Sequence, residues 1–403
     1  LILRKKVSKH HLRPLFAAAL LPLQHRFSLQ NNKAQMKLLH TLFLIFFGLT
    51  TAFSQNSAFT FEYKGKTQNL DERVKMRKVN GMNMQIYRNG TLDTTILKGY
   101  ADPQHKVWVT EHTLFQVGTM GGAIGNFLVL KAANQGKIKL ENNVNDYLTS
   151  WKLQTPNNEI ITVEQLIVHY PKFAQMYKSR GYKRNWKTPT VLQLLKGEKP
   201  ARRKAIEVLE GKNADSFDQY SAPLVLQQML EDVYKMPFAA IVAQEVLVPL
   251  GMTESTFNLN LSKEQEKLAA IGYTHSGRRL VKGHRLHPDA IASGLWTTPT
   301  DYAKFVFHVY NAAKGIDNSL ISKDLAMKCV KSQKGDNRTY LFGVGENNHY
   351  LGGASYGYRT QFEGDFEKGN LIVIFLNSHE NWQFLNIDCL NAGARYLKMK
   401  ELR

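Results

Sequence analysis

Cysteine is scarce in this chain: Cys329 and Cys389 are the two among 403 residues. So low a number excludes a disulfide scaffold, and their separation fits no zinc motif. Two separately buried thiols are the expected state, with a single bridge as the alternative under oxidising conditions. Long apolar runs are lacking too. The longest, within 38–49, falls short of the ~20 residues that cross a bilayer, so no stable membrane span is expected. No phosphate-cradling loop or dinucleotide fingerprint occurs, because Gly343-Val-Gly345 lacks the third glycine and the helix start that give such a motif its meaning. Among the 13 histidines, His284 and His287 lie near Asp289. Without a third ligand at a regular repeat they are expected in a surface loop, and neither a metal nor another cofactor is implied. Disorder is excluded by a composition 43% hydrophobic and 11% aromatic, which suffices for a large core.

Acidic residues are missing altogether ahead of Met36, where Arg4, Lys5, Lys6, Lys9, Arg13, Arg26 and Lys33 all lie. Residues 1–35 are read as an upstream extension that the mature protein lacks. The next segment, 36–54, has a charged start at Lys37, an apolar run, and the small residues Ala52 and Ser54 before Gln55, the pattern of a secretory signal peptide. The mature domain is expected over 55–403, in the periplasm or outside the cell. Loss of the leader removes eight positive charges, so the formal +20 falls to +12. A second basic segment remains, with eleven Lys and Arg against three Glu over 178–212. Its plain reading is a solvated helix face and loop; its sharper reading is a surface from Lys178 to Lys212 that holds an anionic partner. Export argues against nucleic acid as that partner.

Several elements are legible from periodicity. Met82, Met84 and Ile86 alternate with polar residues over Gly81 to Tyr87, Asn89-Gly90 supplies a tight hairpin turn, and a strand returns through Thr94 to Tyr100. From Thr119 to Lys139 apolar residues crowd most of a helical circumference, which marks a helix buried between layers. Further helices are expected over Thr162–His169, Ser221–Tyr234, Phe238–Leu247 and Pro299–Ala313, with Ser221 as a helix start signal. Leu371 to Leu376 is a continuous apolar run of strand length, and Trp382 to Met399 repeats apolar residues at helical spacing. Strands at both ends with helices between imply one sheet assembled from the two halves of the chain.

Five segments carry a resemblance. They are Asn89-Gly90 with Gly99-Tyr100-Ala101-Asp102; Thr113-Leu-Phe-Gln-Val-Gly-Thr119 before the buried helix; Ile161 to His169; Val248-Pro-Leu-Gly-Met-Thr253; and Ser293-Gly-Leu-Trp-Thr-Thr-Pro-Thr-Asp301. In this order, across most of 75–400, they resemble the class C beta-lactamase, D-aminopeptidase and esterase branch of the serine beta-lactamase and penicillin-binding protein family. The resemblance implies an α/β (α+β) fold, with an antiparallel sheet flanked by helices plus an all-helical subdomain. The sheet part would take about 75–118 and 335–400, the helical part about 119–334, and the site their junction.

Active relatives carry a Ser-x-x-Lys pair at the start of the buried helix, the lysine helping to deprotonate the serine one turn away. Here the matching residues are Thr119-Met120-Gly121-Gly122. Threonine keeps a hydroxyl but crowds it with a methyl group, and Gly122 offers no amine. A positioned base contributes roughly 10²- to 10⁴-fold, so its loss alone reduces turnover to a small fraction. The Tyr-x-Asn motif reads Tyr220-Ser221-Ala222, keeping the phenol and losing the amide. The motif of a cation or imidazole followed by a small residue and glycine aligns with Leu351-Gly352-Gly353, then Ala354. The backbone N–H groups of Thr119 and Ala354 could still form an oxyanion-type pair. His349 and Tyr350 lie close enough that a register shift would bring an imidazole to the site. The His-Thr-Ser-Gly turn is altered to His169-Tyr170-Pro171-Lys172.

Three functions follow as expectations. The first is an exported pseudo-hydrolase that binds a cell-wall-type peptide, glycan or ester ligand through Thr119, Tyr220, Gly352, Gly353 and Ala354 without turning it over. The second is an active hydrolase using Thr119 with Tyr220 as base, or His349. The third is an interaction module built on the basic 178–212 surface.

Overall fold

The first long strand follows directly from the alternation at Met82, Met84 and Ile86, and its turn from Asn89 and Gly90, whose φ angles of 51° and 80° are the left-handed values that a two-residue hairpin needs. This is a computed structural model. It describes residues 59–399 apart from 64–65, 170–172, 174–179, 210–219, 275, 333–337 and 379–381. Residues 1–35, the signal segment 36–54, Tyr170, Pro171, Lys172, Lys178 and Lys212 lie outside the described residues.

Along the chain run β1 (Thr60–Tyr63), β2 (Lys66–Asn69), α1 (Leu70–Met76), β3 (Gly81–Arg88), β4 (Thr91–Asp102), β5 (Val107–Trp108), β6 (Phe115–Gln116) and α2 (Met120–Asn134). Next come α3 (Val163–Ile167), β7 (Tyr182–Lys183), α4 (Val191–Lys196), α5 (Ser221–Tyr234), α6 (Phe238–Val242), α7 (Lys263–Leu268), β8 (Arg285–Leu286), α8 (Ala290–Ser293) and β9 (Trp296–Thr297). The last part holds α9 (Pro299–Lys314), α10 (Lys323–Val330), β10 (Gly343–Val344), β11 (His349–Ser355), β12 (Tyr358–Asp365), β13 (Asn370–Leu376) and α11 (Trp382–Leu397).

One seven-stranded antiparallel sheet has the order β10-β11-β12-β13-β3-β4-β5. Its two halves come from opposite ends of the domain and meet where β13 pairs with β3, Ile374 opposite Met84. Strand β13 is wholly buried, as its unbroken apolar run requires. Because side chains alternate, Leu371, Val373 and Phe375 join Phe362 in the main core that also holds α2 and α9, while Ile372 turns to the other face and meets α11 at Gly393. The sheet is thus covered on both faces.

The segments that carried the resemblance are tied to one another. Thr298 caps α9 by accepting from the Asp301 N–H (3.2 Å), with Pro299 in the first turn where it costs no hydrogen bond. Buried Asp301 accepts from the Glu254 N–H (2.8 Å) and the Ser255 hydroxyl (2.9 Å), fastening the Pro-Leu-Gly-Met-Thr segment to it. Two expectations are corrected. The 119–334 region is not all helical, because β7 pairs with β8, and β9 with β6; strands of two residues are too short to show a period. Ser221 is no cap: Tyr220 holds that position, and the buried Ser221 hydroxyl accepts from Arg203 Nη2 (3.4 Å).

Helix α2 is buried almost all round, and its glycines differ. A Cβ on Gly125 would overlap Cγ1 of fully buried Ile291 in α8, whereas a Cβ on Gly122 would meet nothing nearer than the Ile291 carbonyl oxygen at 3.9 Å. Gly125→Ala is therefore expected to lower stability by about 1–3 kcal/mol through overpacking. Gly122→Ala is expected to be neutral or to raise stability by up to about 1 kcal/mol through helix propensity. Urea unfolding midpoints at constant m-value measure both, and equal effects would refute the difference in packing.

Candidate functional site

Two glycines make the site possible. Gly118 has a φ of 58° and a Cβ there would overlap the Ala354 backbone; a Cβ on Gly353 would overlap the Val117 carbonyl. Without side chains at either place, the turn into α2 lies directly on strand β11. The Thr360 hydroxyl donates to the same Val117 carbonyl (3.0 Å) and holds the two backbones together.

This contact delivers Thr119, half-buried at the mouth of α2, to β11, and its hydroxyl donates to the Gly352 carbonyl at 3.1 Å. In an antiparallel ladder alternate residues turn their N–H and C=O away from the partner strand. Ala354 is such a residue, opposite Arg359 and next to the Tyr356-Gly357 turn, so its backbone faces Gly118. Thr119, Gly352, Gly353 and Ala354 are thereby brought together. Gly122, one helical turn on from Thr119, is half-exposed and has free space beside its Cα.

The other sequence-derived positions are placed as follows. Leu351 is half-buried and packs against the main core, and Ala222 is fully buried in the first turn of α5. Tyr220, half-buried just ahead of α5, lies within electrostatic reach of Arg359. Arg359 is buried and donates through Nη1 to the carbonyls of Ser355 (3.3 Å) and Tyr358 (2.8 Å). Burial pushes its guanidinium down to about 10, with Tyr220 opposing.

His349 does not serve the site. Its Nε2–H donates to the Val330 carbonyl at 2.6 Å, its Nδ1 accepts from the Tyr310 hydroxyl at 3.3 Å, and burial pushes its pKa down. Both ring nitrogens are occupied inside the core between β11 and helices α9 and α10, so the register shift that would have offered Thr119 an imidazole is excluded.

The surface loop expected at His284, His287 and Asp289 is also corrected: all three are buried. Glycine and proline in that stretch signal turns, but the turn folds inward because β8, between the two histidines, pairs with β7 under the tip of the β11–β12 hairpin. His287 Nε2 lies 3.3 Å from the Ser355 hydroxyl, and its Nδ1 lies 3.4 Å from Asp289. His284 stands edge-on to Trp296, ring centroids 4.8 Å apart. Among the described residues no group of three such side chains is placed to hold a metal. Cys329 and Cys389 are both free and buried, and burial raises both thiol pKa values.

Sequence reading missed a cavity beside this region, lined by Arg180, Arg202, Arg285, Tyr182, Trp186 and Tyr356. Arg180 and Arg202 belong to the basic segment already singled out, but their convergence with Arg285 comes from the pairing of β7 with β8, strands too short to read.

Buried His284 generates a pH dependence. Burial, then the charges of Arg184 and His287, pushes it from 6.5 down to about 3. It stays neutral in the folded state while the unfolded chain takes up a proton, so stability falls as pH drops from 6.5 toward 3, by about 1.4 kcal/mol per pH unit for this residue. His284→Phe, which keeps the edge contact with Trp296, is expected to flatten urea midpoints measured between these limits; an unchanged slope would show that His284 does not resist protonation.

A family model described as Beta-lactamase matches residues 67–387. The chain is 25% identical over 236 residues to Protein flp of Staphylococcus aureus (strain MRSA252), covering 58% of this chain and 44% of that one. It is 22% identical over 244 residues to a Teichoic acid D-alanine hydrolase of Staphylococcus aureus, covering 60% and 57%. The chain spans about half the length of these curated relatives. Its fold is similar to the crystal structure of FmtA from Staphylococcus aureus, with a TM-score of 0.65 at 20% identity over 83% of this chain and 89% of that one. It is also similar to an octameric penicillin-binding protein homologue from Pyrococcus abyssi, with a TM-score of 0.63 at 20% identity over 83% and 77%.

Proposed function

Since the chain belongs to the beta-lactamase family, we propose that it is an exported member in which hydrolysis is lost or severely impaired and the cleft binds a cell-wall-type peptide, glycan or ester. One observation carries this reading. The Thr119 hydroxyl, where the family places its nucleophile, gives its hydrogen to a carbonyl oxygen, Gly352 O at 3.1 Å, and the residue one turn later is glycine. A carbonyl cannot take a proton from an alcohol near neutrality, and no amine is supplied at Gly122 to do so. With His349 enclosed, the alternative imidazole base falls away.

What persists favours binding. Gly352 is exposed with nothing within 4 Å of a Cβ built on it, so a ligand can lie against the strand edge. The ligand class follows from relatives whose names include a Teichoic acid D-alanine hydrolase and a penicillin-binding protein homologue. Export is supported by the segment 36–54, with its charged start, apolar run and small residues before Gln55.

Incubation with a fluorescent penicillin is expected to leave the protein unmodified by gel and mass spectrometry, and an adduct on Thr119 would overturn the proposal. Soluble stem-peptide fragments of the cell wall are expected to bind saturably and to be recovered intact. Gly352→Val, which fills the open strand edge, is expected to weaken that binding at least about tenfold by calorimetry.

A further inference from the structure

The cavity missed by sequence reading has a volume of about 350 Å³, at the small end of ligand sites. Its frame is the β7–β8 pair, in which Lys183 stands opposite Arg285. Gly181, with a φ of 62°, lies at its wall; a Cβ there would come within 2.7 Å of both Arg285 Cβ and His287 Nε2, so the close approach needs glycine. The Tyr182 hydroxyl accepts from the Arg202 N–H (3.2 Å) and fixes the segment carrying Arg202 against the strand. Tyr356, at the tip of the β11–β12 hairpin, closes another side.

The side chains converge in a particular way. The guanidinium of Arg202 lies 4.4 Å from the centre of the Trp186 ring, and that of Arg285 lies 5.8 Å from the same ring and 4.9 Å from the Tyr356 ring. Neighbouring Arg184 is neutralised by Glu266 (2.7 Å). Among the described residues no carboxylate lies within ion-pair distance of Arg180, Arg202 or Arg285. Arg285 is half-buried in the cavity wall, whereas Arg180 and Arg202 are exposed at its rim. Burial lowers the pKa of Arg285, the charge and hydrogen-bond interactions with Tyr356 oppose this, and Arg202 adds a lesser push downward.

The geometry points to a binding site for a small dianion, a phosphate monoester whose organic part is flat or apolar. Planar guanidiniums match the paired oxygens of phosphate, and those of Arg202 and Arg285, with Arg180 also lining the cavity, outmatch the single charge of a monocarboxylate. The rings of Trp186, Tyr182 and Tyr356 supply walls for the organic part. This site is separate from the Thr119 cleft and does not depend on whether that cleft hydrolyses anything.

The test titrates the full mature chain with phenyl phosphate, inorganic phosphate, benzoate and phenol, followed by calorimetry and tryptophan fluorescence. One phenyl phosphate per chain is expected to bind, at least about tenfold more tightly than benzoate or inorganic phosphate, and the fluorescence change is expected to vanish in Trp186→Phe. Arg202→Gln and Arg285→Gln are each expected to weaken binding at least about tenfold, and Arg202→Lys, which keeps charge but not the fork, by an intermediate amount. Arg184→Gln and Thr119→Val are expected to change it less than about twofold. Unchanged thermal unfolding of the variants separates lost binding from lost folding. Non-saturating binding, or equal losses in Arg184→Gln and Arg202→Gln, would show a diffuse positive field and overturn the proposal. Failure of the cleft reading would appear in the penicillin experiment alone.

Discussion

The close approach of two backbones, Val117-Gly118 against Gly353-Ala354, is the constraint on which the site depends. Neither glycine can gain a side chain without separating the entry of α2 from β11, and the Thr360 hydroxyl locks the contact from behind. Every other feature of the cleft inherits its position from that contact: Thr119 because it follows Gly118, Ala354 because it follows Gly353, and the open edge at Gly352 because it precedes them. A scaffold held by main chain tolerates changes in the side chains it displays. The architecture accordingly matches structures in which its sequence is only 20% identical.

The constraints on individual positions have a physical order. Some residues tie separate segments together, such as Asp301, which accepts from Glu254, Ser255 and Lys304. Other positions carry no packing or hydrogen-bonding duty that fixes their identity. Gly122 illustrates the second class: its surroundings admit a side chain, so packing does not dictate glycine there. Gly125, three residues later, illustrates the first, because Ile291 leaves it no room.

Much of this was legible in the sequence. Long periodic elements are legible to differing degrees: β13 begins one residue earlier than its apolar run and α9 ends one residue later than expected, whereas α2 stops at Asn134, short of Lys139, and α6 stops at Val242, short of Leu247. Thr119, Gly352, Gly353 and Ala354 were placed together by resemblance, and the fold holds them together through backbone geometry that glycine spacing foreshadows. Three things were not legible. Two-residue strands carry no period, which hid β7 and β8 and with them the cavity at Arg285. The stretch around His284 and His287 has the glycine and proline of an exposed turn, yet tertiary pairing draws it inside. His349 lies next to the motif in sequence, but strand alternation sends its side chain into the core, where Val330 and Tyr310 engage it.

Helix α2 begins with glycine at 121, 122 and 125, three weak helix formers within its first six residues. Each costs roughly 0.8–1 kcal/mol against alanine, a deficit that an isolated segment of this length cannot make good. The helix therefore owes its existence to the layers pressed around it, Ile291 on one side and the sheet on the other. A fragment cut from the middle of the chain would lack the strand β11 that this segment packs against, and would leave it uncoiled.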